Sequence, residues 1–132
     1  MTPAAATPGV PRGERTERTL MRVYLGEADR HQGTTVYEAI VRLLRARGMA
    51  GATVMRCVGG FGASRAMRSM VSEIGALDLP VVVECVDDEA RIRDVLPALD
   101  AMVRGGVITL ERADVIVYRP DAVRDAGAGG GG

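Results

Sequence analysis

Two helical stripes, each flanked by β-like runs, constrain the fold of this chain more than any other feature. The first helix opens at Thr35 and ends at Gly48, because apolar residues recur between them at the helical period. The second helix is capped by Asp87 or Asp88 and ends at Gly105 and the glycine after it. The stripes consist of Val36, Ile40, Leu43 and Leu44 in the first helix, and of Ile92, Val95, Leu96, Leu99, Met102 and Val103 in the second.

Four β-like runs flank these helices, at residues 19–25, 52–58, 79–86 and 107–118. Their β-branched and apolar residues fit pleated strands. The order strand, helix, strand therefore occurs twice, and residues 63–78 form a long loop between the two halves. This order predicts an α+β fold, a ferredoxin-like βαββαβ sandwich with an antiparallel four-stranded sheet and two helices on one face.

The chain has 132 residues, of which 47% are hydrophobic. After the low-complexity ends are set aside, this is enough for one domain of roughly 100 residues, which we place at 19–118. Residues 1–18 and 119–132 contain Pro, Ala, Gly and charged residues without a periodic pattern. We therefore expect both ends to be disordered tails.

Charge and composition exclude several classes of protein. The formal net charge is zero and the aromatic residues are three Tyr and one Phe, so neither a basic surface nor a stacking platform for nucleic acid can be built. No apolar run is long enough to span a bilayer and no secretory signal precedes the domain, which predicts a cytoplasmic protein. Cys57 and Cys85 occupy separate strand-like runs and are predicted to be unbridged core residues.

Alternation along the strands predicts which residues face away from the helices. Met21, Val23 and Leu25 are expected to face the helices, and their neighbours in the sequence to form an outer sheet face. An outer face open to water would be more polar than this one, so we expect identical sheets to pack together with their charges paired across subunits. The outer face is predicted to comprise Leu20, Arg22, Tyr24, Val54, Arg56, Val58, Val82, Glu84 and Val86, with Arg22, Tyr24, Val54, Arg56, Val82 and Glu84 in the oligomer interface.

A glycine cluster follows the second strand and is the main candidate for a binding site. Gly59, Gly60 and Gly62 permit positive φ and close backbone approach, and backbone N–H groups there can bind an anion with help from Arg65 and Arg68. The alternative is that these glycines only form a hairpin turn.

The long loop 63–78 allows two interpretations. It is either a solvated charged loop or a recognition segment that becomes ordered on contact with a partner. The predicted partner-contact residues are Ser64, Arg65, Arg68 and Ser69.

Metal binding and catalysis find little support in the sequence. Glu27, Asp29 and His31 alternate in a polar turn, but such a trio is typical of a solvent-exposed turn and we expect no metal. His31 is the sole histidine and has no nucleophile close to it in the sequence. The acylphosphatase-like enzymes of this fold use an Asn, and this chain has none. We therefore expect no enzymatic activity.

Several segments together resemble the PII-like family of domain of unknown function 190. They are RVYLGEAD and VYEAIVRLLRARGMAGATV, then GATVMRCVGGFG, LPVVVECVDDEARI and GGVITLERADVIVY, which cover about residues 19–118. The family is similar to nitrogen-regulatory PII signalling proteins. The resemblance implies a ferredoxin-like fold, a homotrimer and a regulatory function, with the long loop contacting a target protein such as a membrane transporter or channel.

The resemblance also implies an effector site in the clefts between subunits. Gly60, Phe61 and Gly62 match the GFG part of the PII pattern, whereas only Gly105 and Gly106 stand where PII proteins have a longer phosphate-binding stretch. The predicted effector-binding residues are Gly59, Gly60, Phe61, Gly62, Arg65, Gly105 and Gly106. No counterpart of the PII C-terminal Arg pair is present, so an adenine nucleotide and a smaller effector both remain candidates. The alternative function is an accessory subunit of an ion channel or transporter that binds no effector.

Overall fold

A computed structural model describes residues 12–61, 68–69 and 78–120 of the chain. The elements in chain order are β1 (Glu14–Gly26), β2 (Arg30–His31), β3 (Thr34–Thr35), α1 (Val36–Ala46), β4 (Thr53–Arg56), β5 (Gly59–Gly60), β6 (Arg68–Ser69), β7 (Pro80–Asp87), α2 (Glu89–Met102) and β8 (Val107–Val117). Within these described ranges, no helix is long and apolar enough to cross a membrane.

The four long strands form one sheet in the order β4-β7-β1-β8. β7 pairs antiparallel with both β1 and β4. Each helix connects two strands of this sheet, as the sequence pattern predicted, so the α+β ferredoxin-like sandwich is confirmed. Two short ribbons, β2-β3 and β5-β6, stand apart from the main sheet.

The core lies between the sheet and the two helices. Met21, Val23 and Leu25 face the helices as predicted and are buried. Six residues of the predicted helical stripes are also buried, and Leu43, Leu96, Met102 and Val103 are partly buried against them. Thr35 begins α1 by accepting a hydrogen bond from the backbone N–H of Glu38 on its Oγ1 (3.4 Å). The core cluster comprises Met21, Val23, Leu25, Val36, Ile40, Leu44, Val83, Cys85, Ile92, Val95 and Leu99.

Asp87 is a buried carboxylate at the junction of β7 and α2. Its Oδ1 accepts a hydrogen bond from the N–H of Asp88 (2.7 Å) and its Oδ2 accepts one from the N–H of Ala50 (2.9 Å). Guanidinium nitrogens of Arg18 and Arg91 lie 3.6 and 3.9 Å from Oδ1. One side chain therefore fixes the end of β7, the start of α2 and the segment that follows α1.

The described residues fall into two compact units. The larger is Arg18–Ala113, and the described part of the smaller consists of residues 12–17 and 114–120. Within the smaller unit, Arg15 Nη2 lies 2.6 Å from Asp114 Oδ2, and this hydrogen bond raises the pKa of Arg15 and lowers that of Asp114. β1 begins at Glu14, so the prediction that residues 14–18 belong to a disordered tail is wrong. These residues are polar and form a strand without a hydrophobic pattern.

The predicted orientation of the second strand is also wrong. Val54 pairs with Val83 and Arg56 with Val81, and these partners face the helices. The outer face of β4 therefore carries Thr53 and Met55 instead. In residues 52–58, the side chains at even and at odd positions both include apolar and polar residues. The alternation therefore does not indicate which of the two groups faces the helices.

On the outer face of β1 and β7, Arg22 and Glu84 pair within one chain. Arg22 Nε donates to Glu84 Oε2 at 2.7 Å, which raises the pKa of Arg22, and Nη1 lies 2.5 Å from Glu111 Oε1. These charges therefore already pair inside one chain, and their pairing across subunits stays a prediction. Arg56 likewise pairs within the chain, with Glu27.

Candidate effector-binding cleft

A cleft of about 570 Å³ opens where β1 and α2 end and β7 begins. It brings together glycine segments that are far apart in the sequence, namely Gly59 and Gly60 with Gly105 and Gly106. Its lining consists of Tyr24, Leu25, Gly26, Asp29, Arg30, Val36, Cys57, Gly59, Gly60, Phe61, Pro80, Met102, Arg104, Gly105, Gly106 and Val107. Five residues predicted to bind an effector thus line one cavity.

Gly60 and Gly106 favour glycine for different reasons. Gly60 has a φ of +146°, a conformation that other residues rarely adopt. At Gly106 the constraint is steric, because an added Cβ would lie closer than 3.0 Å to the carbonyl oxygen of Tyr24. Gly105 has open space around it. The backbone of β8 can therefore pass close to β1 only because residue 106 has no side chain.

The corner after β1 forms a further wall of the cleft. Asp29 Oδ2 accepts a hydrogen bond from the N–H of Gly26 (2.9 Å), and the Asp29 carbonyl accepts one from Val36 (2.8 Å). Arg30 begins the β2-β3 ribbon and donates through Nη2 to the carbonyl of Gly33 (2.9 Å). These bonds place the Arg30 side chain beside the cavity.

Sequence reasoning missed both arginines of the cleft, Arg30 and Arg104. The available sequence signal for Arg104 was its position directly before Gly105 and Gly106, the glycine pair that follows α2. Arg104 is exposed and makes no ion pair or side-chain hydrogen bond with the described residues. Its guanidinium is therefore available to an anionic ligand.

The remaining lining is mostly apolar. Phe61, which is 66% exposed, stands with Pro80, Met102 and Val107 around the cavity. Apolar walls with a few convergent polar groups are typical of small-molecule sites. The cleft suits a ligand that combines an apolar ring with an anionic group.

The two cysteines occupy different environments. Cys57 is half-buried and lines the cleft, and its N–H donates to the carbonyl of Pro80 (2.8 Å). Cys85 is buried, and loss of solvation raises the pKa of its thiol to about 11. Both thiols are free.

Several predicted site residues lie outside the described part of the chain. These are Gly62, Ser64 and Arg65, together with most of the loop 63–78. The backbone of β6, Arg68–Ser69, pairs antiparallel with Gly59 and Gly60.

The loop returns to the sheet beside the corner after β1. The N–H of Ala28 donates to Asp78 Oδ1 (2.9 Å), and the N–H of Glu27 donates to the carbonyl of Leu79 (2.8 Å).

Among the described residues, no cluster of three or more His, Cys, Asp or Glu side chains has the arrangement of a metal site.

The fold is that of PII-like proteins. It is similar to a structure of CPII, a nitrogen regulatory PII-like protein from Thiomonas intermedia K12, bound to ADP, AMP and bicarbonate. The two chains are 19% identical with a TM-score of 0.56, over 79% of this chain and 92% of CPII. A second CPII structure with the same ligands is 16% identical with a TM-score of 0.51, over 77% of this chain and 98% of that one.

Residues 18–115 match DUF190, a family described as "Uncharacterized ACR", and the chain belongs to this family. A UPF0166 protein of Methanocaldococcus jannaschii is 33% identical over 76% of this chain and 91% of its own length. A UPF0166 protein of Aquifex aeolicus is 32% identical over 76% of this chain and 94% of its own. The predicted family is thereby confirmed.

Proposed function

We propose that this chain is a cytoplasmic PII-like regulatory protein that binds an adenine nucleotide in the cleft and acts by binding, without catalysis. In a homotrimer, residues 63–78 would contact a target protein, and nucleotide binding in the cleft would control this contact. The observation that carries the proposal is the meeting of two arginines, two glycine segments and an apolar wall in one cavity.

The chemistry of the cleft fits the parts of a nucleotide. Guanidinium groups of Arg30 and Arg104 provide charge-assisted hydrogen bonds for phosphate oxygens. Phe61 and Met102 provide an apolar surface for the base. CPII, which has a similar fold, was found with ADP, AMP and bicarbonate, and this supports the same class of ligand here.

The outer sheet face supports the proposed trimer. Tyr24 and Met55 are each 41% exposed on that face, beside Val82. Apolar side chains on a sheet face that carries no helices are typical of a surface that packs against a copy of itself. The adjoining Val107, 55% exposed at the cleft, would then lie close to the neighbouring subunit.

Titration calorimetry with ADP, AMP, ATP and bicarbonate tests the proposal. We expect at least one adenine nucleotide to bind, and Arg104→Ala to weaken its binding by roughly tenfold or more, the value of one charge-assisted hydrogen bond. Arg93→Ala is the matched control, because Arg93 is an exposed arginine near α2's other end, paired with Glu89 at 3.3 Å. Absence of nucleotide binding by the native protein, or equal losses in the two variants, would contradict the proposal.

A further inference from the structure

The C-terminal half of α1 carries a group of arginines on its exposed side. Arg42 and Arg45 are separated by one helical turn, and Arg47 follows at the helix end. All three are exposed. Residues at this spacing are neighbours on a helix surface, with about 5–6 Å between their Cβ atoms. We refer to these three residues as the α1 basic face.

The α1 basic face is unusual in having no partners. Arg42, Arg45 and Arg47 make no side-chain ion pair or hydrogen bond in the described part of the chain. The nearest acidic residue of the helix, Glu38, accepts a hydrogen bond from Thr34 instead (3.0 Å). Most other described arginines are paired, including Arg15, Arg18, Arg22, Arg56, Arg91, Arg93 and Arg119.

Stabilisation of the C-terminal end of α1 does not require all three arginines of the α1 basic face. Arg91 already donates through Nη2 to the terminal carbonyls of Arg47 (3.3 Å) and Gly48 (2.5 Å). A single basic residue in the last turn, Arg45, also suffices to interact with the helix dipole. The chain as a whole has zero formal charge, so this surface is a local concentration of positive charge.

We propose that the α1 basic face binds an acidic segment of a protein partner. Guanidinium forks one turn apart can each bind a carboxylate, and electrostatic complementarity of this kind guides association. This surface is separate from the cleft. Val36 at the start of α1 and Met102 at the end of α2 line the cleft, whereas the α1 basic face lies at the end of α1.

A protein partner fits this surface better than a lipid bilayer. An interfacial helix needs a free apolar face to enter the membrane, but Ile40 and Leu44 of α1 are buried in the core. None of the large hydrophobic residues exposed in the described structure belongs to α1 or α2. A membrane would therefore contact charge alone here.

Fluorescence anisotropy with a labelled poly-glutamate peptide tests this proposal on the full chain. We expect salt-dependent binding, and a loss of roughly three- to tenfold in the double variant Arg42→Gln/Arg45→Gln. The control is Arg15→Gln/Arg119→Gln, which removes the same charge from two exposed arginines elsewhere. The control should change the affinity by less than about twofold.

A parallel sedimentation assay uses vesicles of phosphatidylserine and phosphatidylcholine. The proposal is overturned if the native chain does not bind poly-glutamate, or if both double variants lose affinity equally. It is also overturned if Arg42 and Arg45 affect binding to vesicles but not to the peptide, because the surface would then recognise a membrane. Circular dichroism on each variant checks that the fold is retained.

Discussion

Gly106 lies so close to Tyr24 that a Cβ on the glycine would be within 3.0 Å of the tyrosine carbonyl oxygen. Both residues line the cleft. The approach of β8 to β1 and the shape of the candidate site therefore depend on the same missing side chain.

We predict that Gly106→Ala lowers the free energy of unfolding by about 1–3 kcal/mol, because backbone must move to relieve the overlap. Urea denaturation provides the measurement. Gly105→Ala is the control, since a Cβ there meets nothing within 4 Å. Equal stability of the two variants would show that β8 shifts at no cost.

A second prediction concerns the proposed oligomer. Met55 and Val54 are adjacent in β4 and each is 41% exposed, but Met55 shares the outer face with Val82 whereas Val54 shares the face of Val83. Met55→Asp should dissociate the oligomer, because a carboxylate would be buried at the interface. Val54→Asp should leave the subunit number unchanged.

Light scattering after size-exclusion chromatography gives the subunit number of each variant. A native chain that is monomeric would rule out the outer face as an oligomer interface. An oligomer dissociated by Val54→Asp but not by Met55→Asp would place the interface on another surface.

The sequence predicts the order of the long elements because their patterns are unambiguous. Ile92, Val95 and Leu99 repeat at helical spacing and are all buried. In β4, by contrast, Val54 and Met55 are both apolar, and the face is decided by the register with β7. The start of β1 was missed because Glu14 and Arg15 have no apolar neighbours in the sequence to reveal a strand.

The candidate site was predictable only in part. Gly60 was predicted from the conformational freedom of glycine, and Gly106 from the resemblance to PII proteins. Arg30 carries no such signal and Arg104 is marked only by its position before Gly105 and Gly106, because an exposed arginine in a sequence looks the same whether or not it lines a cavity. Only the meeting of the corner after β1 with the end of α2 brings them to one cleft.

The third prediction concerns the buried carboxylate of Asp87. Asp87→Ala should lower the free energy of unfolding by about 2–4 kcal/mol, because the backbone N–H groups of Ala50 and Asp88 lose their acceptor and the guanidinium groups of Arg18 and Arg91 lose a buried carboxylate. Chemical denaturation measures this loss. Asp94→Ala, at an exposed position of α2, should change stability by less than about 0.5 kcal/mol. A small effect at Asp87 would mean that water replaces its oxygens.

The fourth prediction is a decline in stability at alkaline pH that depends on Cys85. Burial raises the pKa of this thiol from its ordinary 9.0 to about 11, which favours the neutral form in the folded state. Its contribution to stability is therefore fully present below pH 9 and is lost as the pH rises through about 11. The stability difference between the native chain and Cys85→Ala should shrink over this range. A pH-independent difference would show that the thiol is not protected from ionisation.

The last prediction uses Cys57 as a reporter of the cleft. Cys57 is half-buried and lines the cavity, whereas Cys85 is 2% exposed in the core. Because the thiolate is the reactive form and must be accessible, iodoacetamide should label Cys57 much faster than Cys85. A nucleotide in the cleft should slow labelling at Cys57 and leave Cys85 unchanged. Peptide mass spectrometry distinguishes the two sites. Labelling of Cys57 that is unaffected by a nucleotide shown to bind by calorimetry would place that nucleotide outside this cleft, while the proposed nucleotide binding itself would stand.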